Sequence, residues 1–207
     1  GSASGTINFL KATAVNVGTS LVNNAFLPLA EGTVTLAHAG AITTNVSITT
    51  PKATRVDFGA KTATGTFEVA AKTGTAGTAF YAPSLEYTIG STTVTASEAH
   101  FSKLTGFGGN STINATAVDF SSLSQTASGT LVLANATAFL APKLVVTGVV
   151  TATAAVTVEV KTSSSTLLVL PAVKTLTVNT LGVKTDFYSS GYPALVTLNI
   201  GGAQGKA

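Results

Sequence analysis

The residues that could do chemistry in this chain are few and widely spaced. Eight carboxylates, at Glu31, Asp57, Glu68, Glu86, Glu98, Asp119, Glu159 and Asp186, are spread so that no two lie within ten residues of one another. A hydrolase that works with paired carboxylates needs them about 5 to 10 Å apart. Stacking of repeats could supply such a pair, because Asp57 and Asp119 occupy equivalent places in "VDF" and Asp186 sits in a similar "TDF". The plainer reading makes these acids turn or capping residues at corners.

His38 and His100 are the only imidazoles, and no His or carboxylate follows either at the spacing of a helical metal site. The serine run "TSSST" (162 to 166) has no "GxSxG" frame, so it reads as a loop. The glycines of "GFGGN" (106 to 110) lack the downstream helix and lysine of a phosphate cradle and read as a turn. Four Asn-X-Ser/Thr sequons stand at Asn45, Asn110, Asn114 and Asn135. In a chain so rich in Asn, Ser and Thr their number carries no argument. No cofactor site is expected, and without cysteine there is neither a disulfide framework nor a thiolate metal site.

Composition narrows the partners. Of 207 residues, 45% are hydrophobic, only 9% are charged and 37 are threonine, whereas roughly 25% charged residues is usual for a soluble protein. Low charge with high hydrophobicity argues against disorder, and Thr, Val, Ala and Gly favour strands joined by tight turns. The net charge of +3 comes from eleven scattered basic residues, of which Arg55 is the one arginine. No run of them forms a phosphate-tracking stripe, so nucleic acid is not an expected partner. The uncharged stretch 144 to 158 is too short and too β-branched for a membrane-spanning helix. The chain does not begin with Met and shows no signal peptide, so it reads as a fragment or a processed product, with "GS" fitting a cloning remnant.

The elements that must position these residues announce themselves by repetition. "ATRVDFGAKTATGTFEVA" (53 to 70), leading to "AFYAPSL", is echoed by "ATAVDFSSLSQTASGTLVLA" (115 to 134), leading to "AFLAPKL". The offset is 62 residues at "VDF" and 59 at "APxL", a tolerance typical of loops on a scaffold. A smaller unit is a five-residue strand: "TVTLA" (33), "NVSIT" (45), "TFEVA" (66), "TVTAS" (93), "TINAT" (112), "TLVLA" (130), "AVTVE" (155), "TLTVN" (175) and "TLNIG" (197). Leu85, Leu104, Leu123 and Leu144 follow one another at 19, 19 and 21 residues, each after a phenylalanine at Phe80, Phe101, Phe120 or Phe139. One strand per period of about twenty residues predicts a solenoid, in which a unit buries its apolar face only by stacking on the next.

Because side chains alternate across a strand, the aligned strands predict an inward row of Val34, Val46, Phe67, Val94, Ile113, Leu131, Val156, Leu176 and Leu198. They also predict an exposed ladder of Thr33, Thr35, Thr66, Thr93, Thr95, Thr112, Asn114, Thr175, Thr177 and Thr197. The expected organisation is an N-terminal cap or exchanged strand over 1–24, an all-β parallel β-solenoid over 25–201, and a flexible tail over 202–207.

The alternation of apolar and Thr positions, with Gly32, Gly65 and Gly129 before strands, resembles parallel β-solenoids. The steps "PKLVVTG" and "PALVTLNIGG" resemble irregular leucine-rich-repeat proteins of the bacterial surface type and receptor L-domain β-helices. The resemblance implies a non-enzymatic structural or adhesive module, extracellular, on a cell surface or on a virion fibre or tail. Its partners would be a glycan or another surface protein, with self-association and multivalent contacts along the coils. Two alternatives stand beside it: an ice-binding solenoid using the Thr-x-Thr face, which such arrays resemble, and a carbohydrate-active β-helix enzyme.

Overall fold

Four-residue stretches that alternate polar and apolar residues make strands too short to stand alone, so their backbone groups must be satisfied by the next turn of the chain. In the computed structural model the described residues are 6–9, 14–17, 24–28, 32–36, 41–42, 45–50, 52–71, 73, 77–126, 129–163, 167–180 and 191–201. They form a parallel β-solenoid of about seven turns with no helix.

In chain order the strands fall into successive coils. The first described strands are β1 (Thr6–Phe9) and β2 (Ala14–Val17). Then come β3 (Asn24–Pro28), β4 (Thr33–Leu36) and β5 (Ala41–Ile42), followed by β6 (Val46–Thr50), β7 (Arg55–Phe58) and β8 (Thr62–Ala63). The middle coils are β9 (Phe67–Ala71), β10 (Ala79–Tyr81) and β11 (Tyr87–Thr88), and β12 (Thr92–Thr95), β13 (Glu98–His100) and β14 (Gly106–Phe107). They lead to β15 (Ser111–Asn114), β16 (Ala117–Asp119) and β17 (Gln125–Thr126). The last turns hold β18 (Leu131–Leu133), β19 (Ala138–Val146), β20 (Val150–Thr151), β21 (Thr157–Thr162), β22 (Leu168–Val169), β23 (Thr175–Val178) and β24 (Thr197–Ile200).

The strands lie in three parallel sheets of nine, six and nine strands, and each middle coil contributes one strand to each. The first sheet runs β1-β3-β6-β9-β12-β15-β18-β20-β22, and the second runs β2-β4-β7-β10-β13-β16. The third runs from β5 to β24 through β8, β11, β14, β17, β19, β21 and β23. Strand β19 turns a corner without a break: Val145 and Val146 pair with β17, while Thr137, just before it, donates its N–H to the Thr116 carbonyl beside β16. Its first half therefore continues the column of the second sheet. Pairing of Ala138–Ala141 with β21, of β21 with β23 and of β23 with β24 extends that column to the last described strand. The parallel pairing also reaches into residues 1–24 through β1 and β2. The tail 202–207 lies outside the described residues.

The expected single row of nine strands is corrected by this topology. "TVTLA", "AVTVE", "TLTVN" and "TLNIG" belong to the column that begins with β2, while "NVSIT", "TFEVA", "TVTAS", "TINAT" and "TLVLA" belong to the first sheet. Val156 is also corrected: it is 39% exposed, and Ala155 is the buried neighbour, because strand alternation begins only at Thr157; so is Leu198, exposed on β24, the last described strand, which has a paired neighbour on one side only. The other inward residues named above from Val34 to Leu176 are buried, as are Leu85, Leu104, Leu123 and Leu144.

The core is an aromatic column. Phe58, Phe80, Phe101, Phe120 and Phe139 follow one another at ring-centroid distances of 6.2, 5.7, 5.6 and 6.0 Å. Phe67 and Phe107 pack against it from the other two sheets. Each buried ring contributes about 1.5–3 kcal/mol relative to exposure. In the last coil Tyr192 is buried, which pushes its hydroxyl from the ordinary 10 up to about 12.

The corners explain much of the threonine. Thr105 gives both its N–H and its Oγ1 hydroxyl to the Glu86 carbonyl one coil below, at 2.8 and 2.8 Å. Ser124 does the same to Thr105 at 3.0 and 3.1 Å, Ser97 to Thr78 at 2.9 and 2.8 Å, and Thr116 to Ser97 at 3.1 and 2.8 Å. A short hydroxyl side chain thus fills both lone pairs of a corner carbonyl that would otherwise be under-satisfied.

At the corner before the first sheet, glycines lie directly on one another. A Cβ on Gly109 would stand 2.8 Å from the Gly90 carbonyl carbon, and one on Gly129 would stand 2.7 Å from that of Gly109. These neighbours are backbone atoms of the adjacent coil and cannot swing away. Gly109→Ala should therefore lower unfolding stability by about 1–3 kcal/mol, the usual range for overpacking, as read from the denaturant midpoint. An unchanged midpoint would mean that the coils do not approach this closely.

Candidate functional site

The column that begins with β2 carries Arg55, Asp57, Tyr81, Glu98, His100, Asp119 and Glu159 at its outward strand positions. Its rungs read AVNV, TVTL, RVDF, AFYA, EAHF, AVDF, AFLA, TVEV, TLTV and TLNI, starting 18 to 24 residues apart. From TVTL to TLTV the second and fourth residues turn inward, so the first and third face out. From the second rung on, the third position gives one row along the solenoid axis: Thr35, Asp57, Tyr81, His100, Asp119, Leu140, Glu159, Thr177 and Asn199. Beside it run Thr33, Arg55, Ala79, Glu98, Ala117, Ala138, Thr157, Thr175 and Thr197.

Successive members of this row hold one another. Arg55 Nε donates to Asp57 Oδ1 at 2.8 Å, and its guanidinium carbon lies 4.0 Å from the Tyr81 ring centre. The Tyr81 and His100 rings stack at 4.5 Å with planes 7° apart. His100 Nε2 in turn meets Glu98 Oε2 at 3.2 Å. With Arg55 and Glu98 about half exposed, these ion pairs orient side chains more than they stabilise the fold. Both faces of the Tyr81 ring are covered, so this part of the row is a pre-ordered rigid stack.

Past His100 the row opens into a shallow groove of about 410 Å³ lined by Val118, Asp119, Phe120, Ser121, Leu140, Pro142 and Glu159. Leu140 is 45% exposed at its centre. Asp119 Oδ1 accepts the Ser121 N–H at 3.0 Å, and Glu159 Oε1 accepts Asn179 Nδ2 at 2.9 Å, which leaves the second oxygen of each carboxylate for other donors. The groove therefore joins an apolar floor to acceptors at both ends, a combination suited to binding a polar ligand with an apolar face.

The equivalence of the two "VDF" strands holds, but it separates their acids. Asp57 and Asp119 are three rungs apart, with Tyr81 and His100 between them, a distance of about 14 Å at 4.8 Å per strand. That exceeds the roughly 5 to 9.5 Å of paired-carboxylate hydrolysis. Glu31, His38 and Asp186 lie outside the described residues. Among the described residues no three His, Asp or Glu side chains gather as a metal-holding group. Nor is any helix among them long and apolar enough to cross a membrane. In "GFGGN", Gly106 and Phe107 form β14, and the following glycines make the close contact with the coil below.

All ten members of the expected Thr ladder are at least partly exposed, but they are not one ladder. Thr93, Thr95, Thr112 and Asn114 stand on the first sheet, and Thr66 at the corner leading into it. Thr33, Thr35, Thr175, Thr177 and Thr197 belong to the column of Arg55 and Tyr81. The ladder's strands with Thr at both outward positions are β4, β12 and β23, and no two of them are neighbours. Beside β4 stand Arg55 and Asp57; beside β12 stand Glu68 and Ala70. Charged and small side chains thus interrupt any flat Thr-x-Thr array.

The sequence shows Asp57, His100, Asp119 and Glu159 as scattered ionisable residues, but nothing in it puts them on one face with Tyr81 and Leu140 and with Arg55 beside them. What reveals them is the inward pattern of RVDF, AFYA, EAHF, AVDF and AFLA, repeated at the spacing of the coils. Comparison with protein-family models, curated proteins and solved structures finds no match for this chain.

The stack makes a local prediction. Tyr81→Leu should release Arg55 and remove the ring current from His100, moving the His100 ring-proton resonances downfield. Stability should fall by only about 0.5–1 kcal/mol, the scale of an exposed cation–π contact. Unmoved His100 resonances would show that the two rings are not stacked.

Proposed function

We propose that this chain is a non-enzymatic structural and adhesive module of a cell surface or virion, binding a glycan or another surface protein through the outer row from Arg55 to Glu159. One observation carries the reading: a continuous row that passes from an ordered Arg55–Tyr81–His100 stack into the Leu140 groove, held on strands instead of loops. A site on regular elements is positioned accurately and loses little freedom on binding. The groove is shallow, so a single contact is weak. Its setting on a stack of coils suits repeated display, where linkage raises avidity without new contacts. The likeness of the "PxL" steps to surface-type leucine-rich repeats is in keeping with this placement.

Screening the chain against immobilised glycans and surface proteins, as free protein and coupled in many copies to a bead, tests the reading. The expected result is weak binding by the free chain and a gain of about 10²–10⁴ on the bead. Leu140→Asp should cut binding about tenfold or more, as disrupting a central contact does. Binding indifferent to Leu140→Asp, or no binding in either format, would remove the row as an adhesive site.

A further inference from the structure

The four sequons are alike in sequence, but the fold treats them differently. Asn45 and Asn110 occupy the same corner, each immediately before a strand of the first sheet. The pairing of β6, β9, β12 and β15 places 45, 66, 91 and 110 in one line along the axis. In both residues the side-chain oxygen is tied to the coil above: Asn45 Oδ1 accepts the Thr66 N–H at 2.9 Å, and Asn110 Oδ1 accepts the Thr130 N–H at 3.0 Å. Both residues are exposed. Neither Nδ2 makes a hydrogen bond among the described residues, which leaves it available at an exposed corner. At Asn135 the nitrogen is engaged, since its Nδ2 donates to Asn114 Oδ1, and Asn114, the acceptor in that bond, is half-buried.

We propose that Asn45 and Asn110 are acceptor sites for an N-linked oligosaccharide. Nδ2 attacks C1 of a lipid-phosphate-activated oligosaccharide supplied by a transferase. The N–C1 bond forms as the C1–O bond to phosphate breaks, the lipid phosphate leaves with the bonding pair, and Nδ2 gives one of its two protons to the transferase's base. Oδ1 keeps its hydrogen bond to the next coil throughout, so the product is compatible with the corner as folded. The two glycans stand about 14 Å apart, three rungs at 4.8 Å, along the corner between the third and first sheets. They leave the Arg55–Tyr81–His100 row bare. The inference shares with the proposed surface role only the need for a route past such a transferase, and failure of adhesion would not touch it.

Translation of the full chain behind an added cleavable signal sequence, in the presence of microsomes, brings it to the transferase and tests the proposal. Two glycosidase-sensitive mass increments are expected on the wild type. Ser47→Ala and Thr112→Val each break a sequon while leaving its Asn in place, and each should remove one increment; together they should remove both. Valine is tolerated on this row, since Val132 stands in register with Thr112. The glycosylated and unmodified chains should have denaturant midpoints that agree closely. No increment on the wild type would overturn the proposal, as would increments that persist in the double variant through Asn114 or Asn135.

Discussion

Each rung of the charged column must fit its two inward side chains into the same thin slice of core, and the rest of the molecule follows from that constraint. The inward pairs are Val56 with Phe58, Phe80 with Ala82, Ala99 with Phe101, Val118 with Phe120, and Phe139 with Ala141. Every one is a benzene ring and a smaller residue, and the ring changes place between the two positions along the stack. Each slice keeps one ring although the ring's position varies, and its partner is either Val or Ala, a difference that the neighbouring side chains must take up. Beyond Ala141 two medium residues replace the pair, as in Val158 with Val160 and Leu176 with Val178.

Coils stacked through parallel strands share one spacing of about 4.8 Å, and the corners have to match carbonyl to donor at that spacing. Ser97, Thr105, Thr116 and Ser124 meet this need with doubled donation to one carbonyl, and Asn45 and Asn110 meet it with a side-chain oxygen. Gly90, Gly109 and Gly129 meet it by having no side chain where two backbones touch. Inside and corners are thereby committed, and only outward positions remain free to vary. They hold the arginine, the stacked Tyr81 and His100, and the exposed Leu140 with its two flanking carboxylates.

Much of this was legible in the sequence. The period near twenty, the parallel stacking and the inward Phe and Leu series follow from alternation and spacing. The assignment of strands to faces did not follow, because period-two alternation is the same on all three faces and "TVTLA" cannot be told from "NVSIT" by pattern. The site was hidden for a related reason. "AFYA" and "AFLA" carry their ring at the second position and "RVDF" at the fourth, so they look like different motifs until register shows that they fill the same slice. Threonine misled most: its number suggested one exposed ladder, whereas several Thr and Ser side chains serve as corner donors. Nothing local in the sequence separates the two roles, since each is set by a carbonyl about 19 residues away in the chain.

The central claim is that TVTL (33–36) sits beside RVDF (55–58), and not beside the nearer VSIT (46–49). The chain has no cysteine, so paired substitutions read this directly. Thr35→Cys with Asp57→Cys should form an intrachain disulfide on mild oxidation, because these residues are in register on adjacent parallel strands at about 4.8 Å. Thr35→Cys with Ser47→Cys should stay reduced, the two lying on different sheets. Oxidation of the second pair with the first remaining reduced would contradict the three-faced coil and, with it, the row on which the proposed site is built.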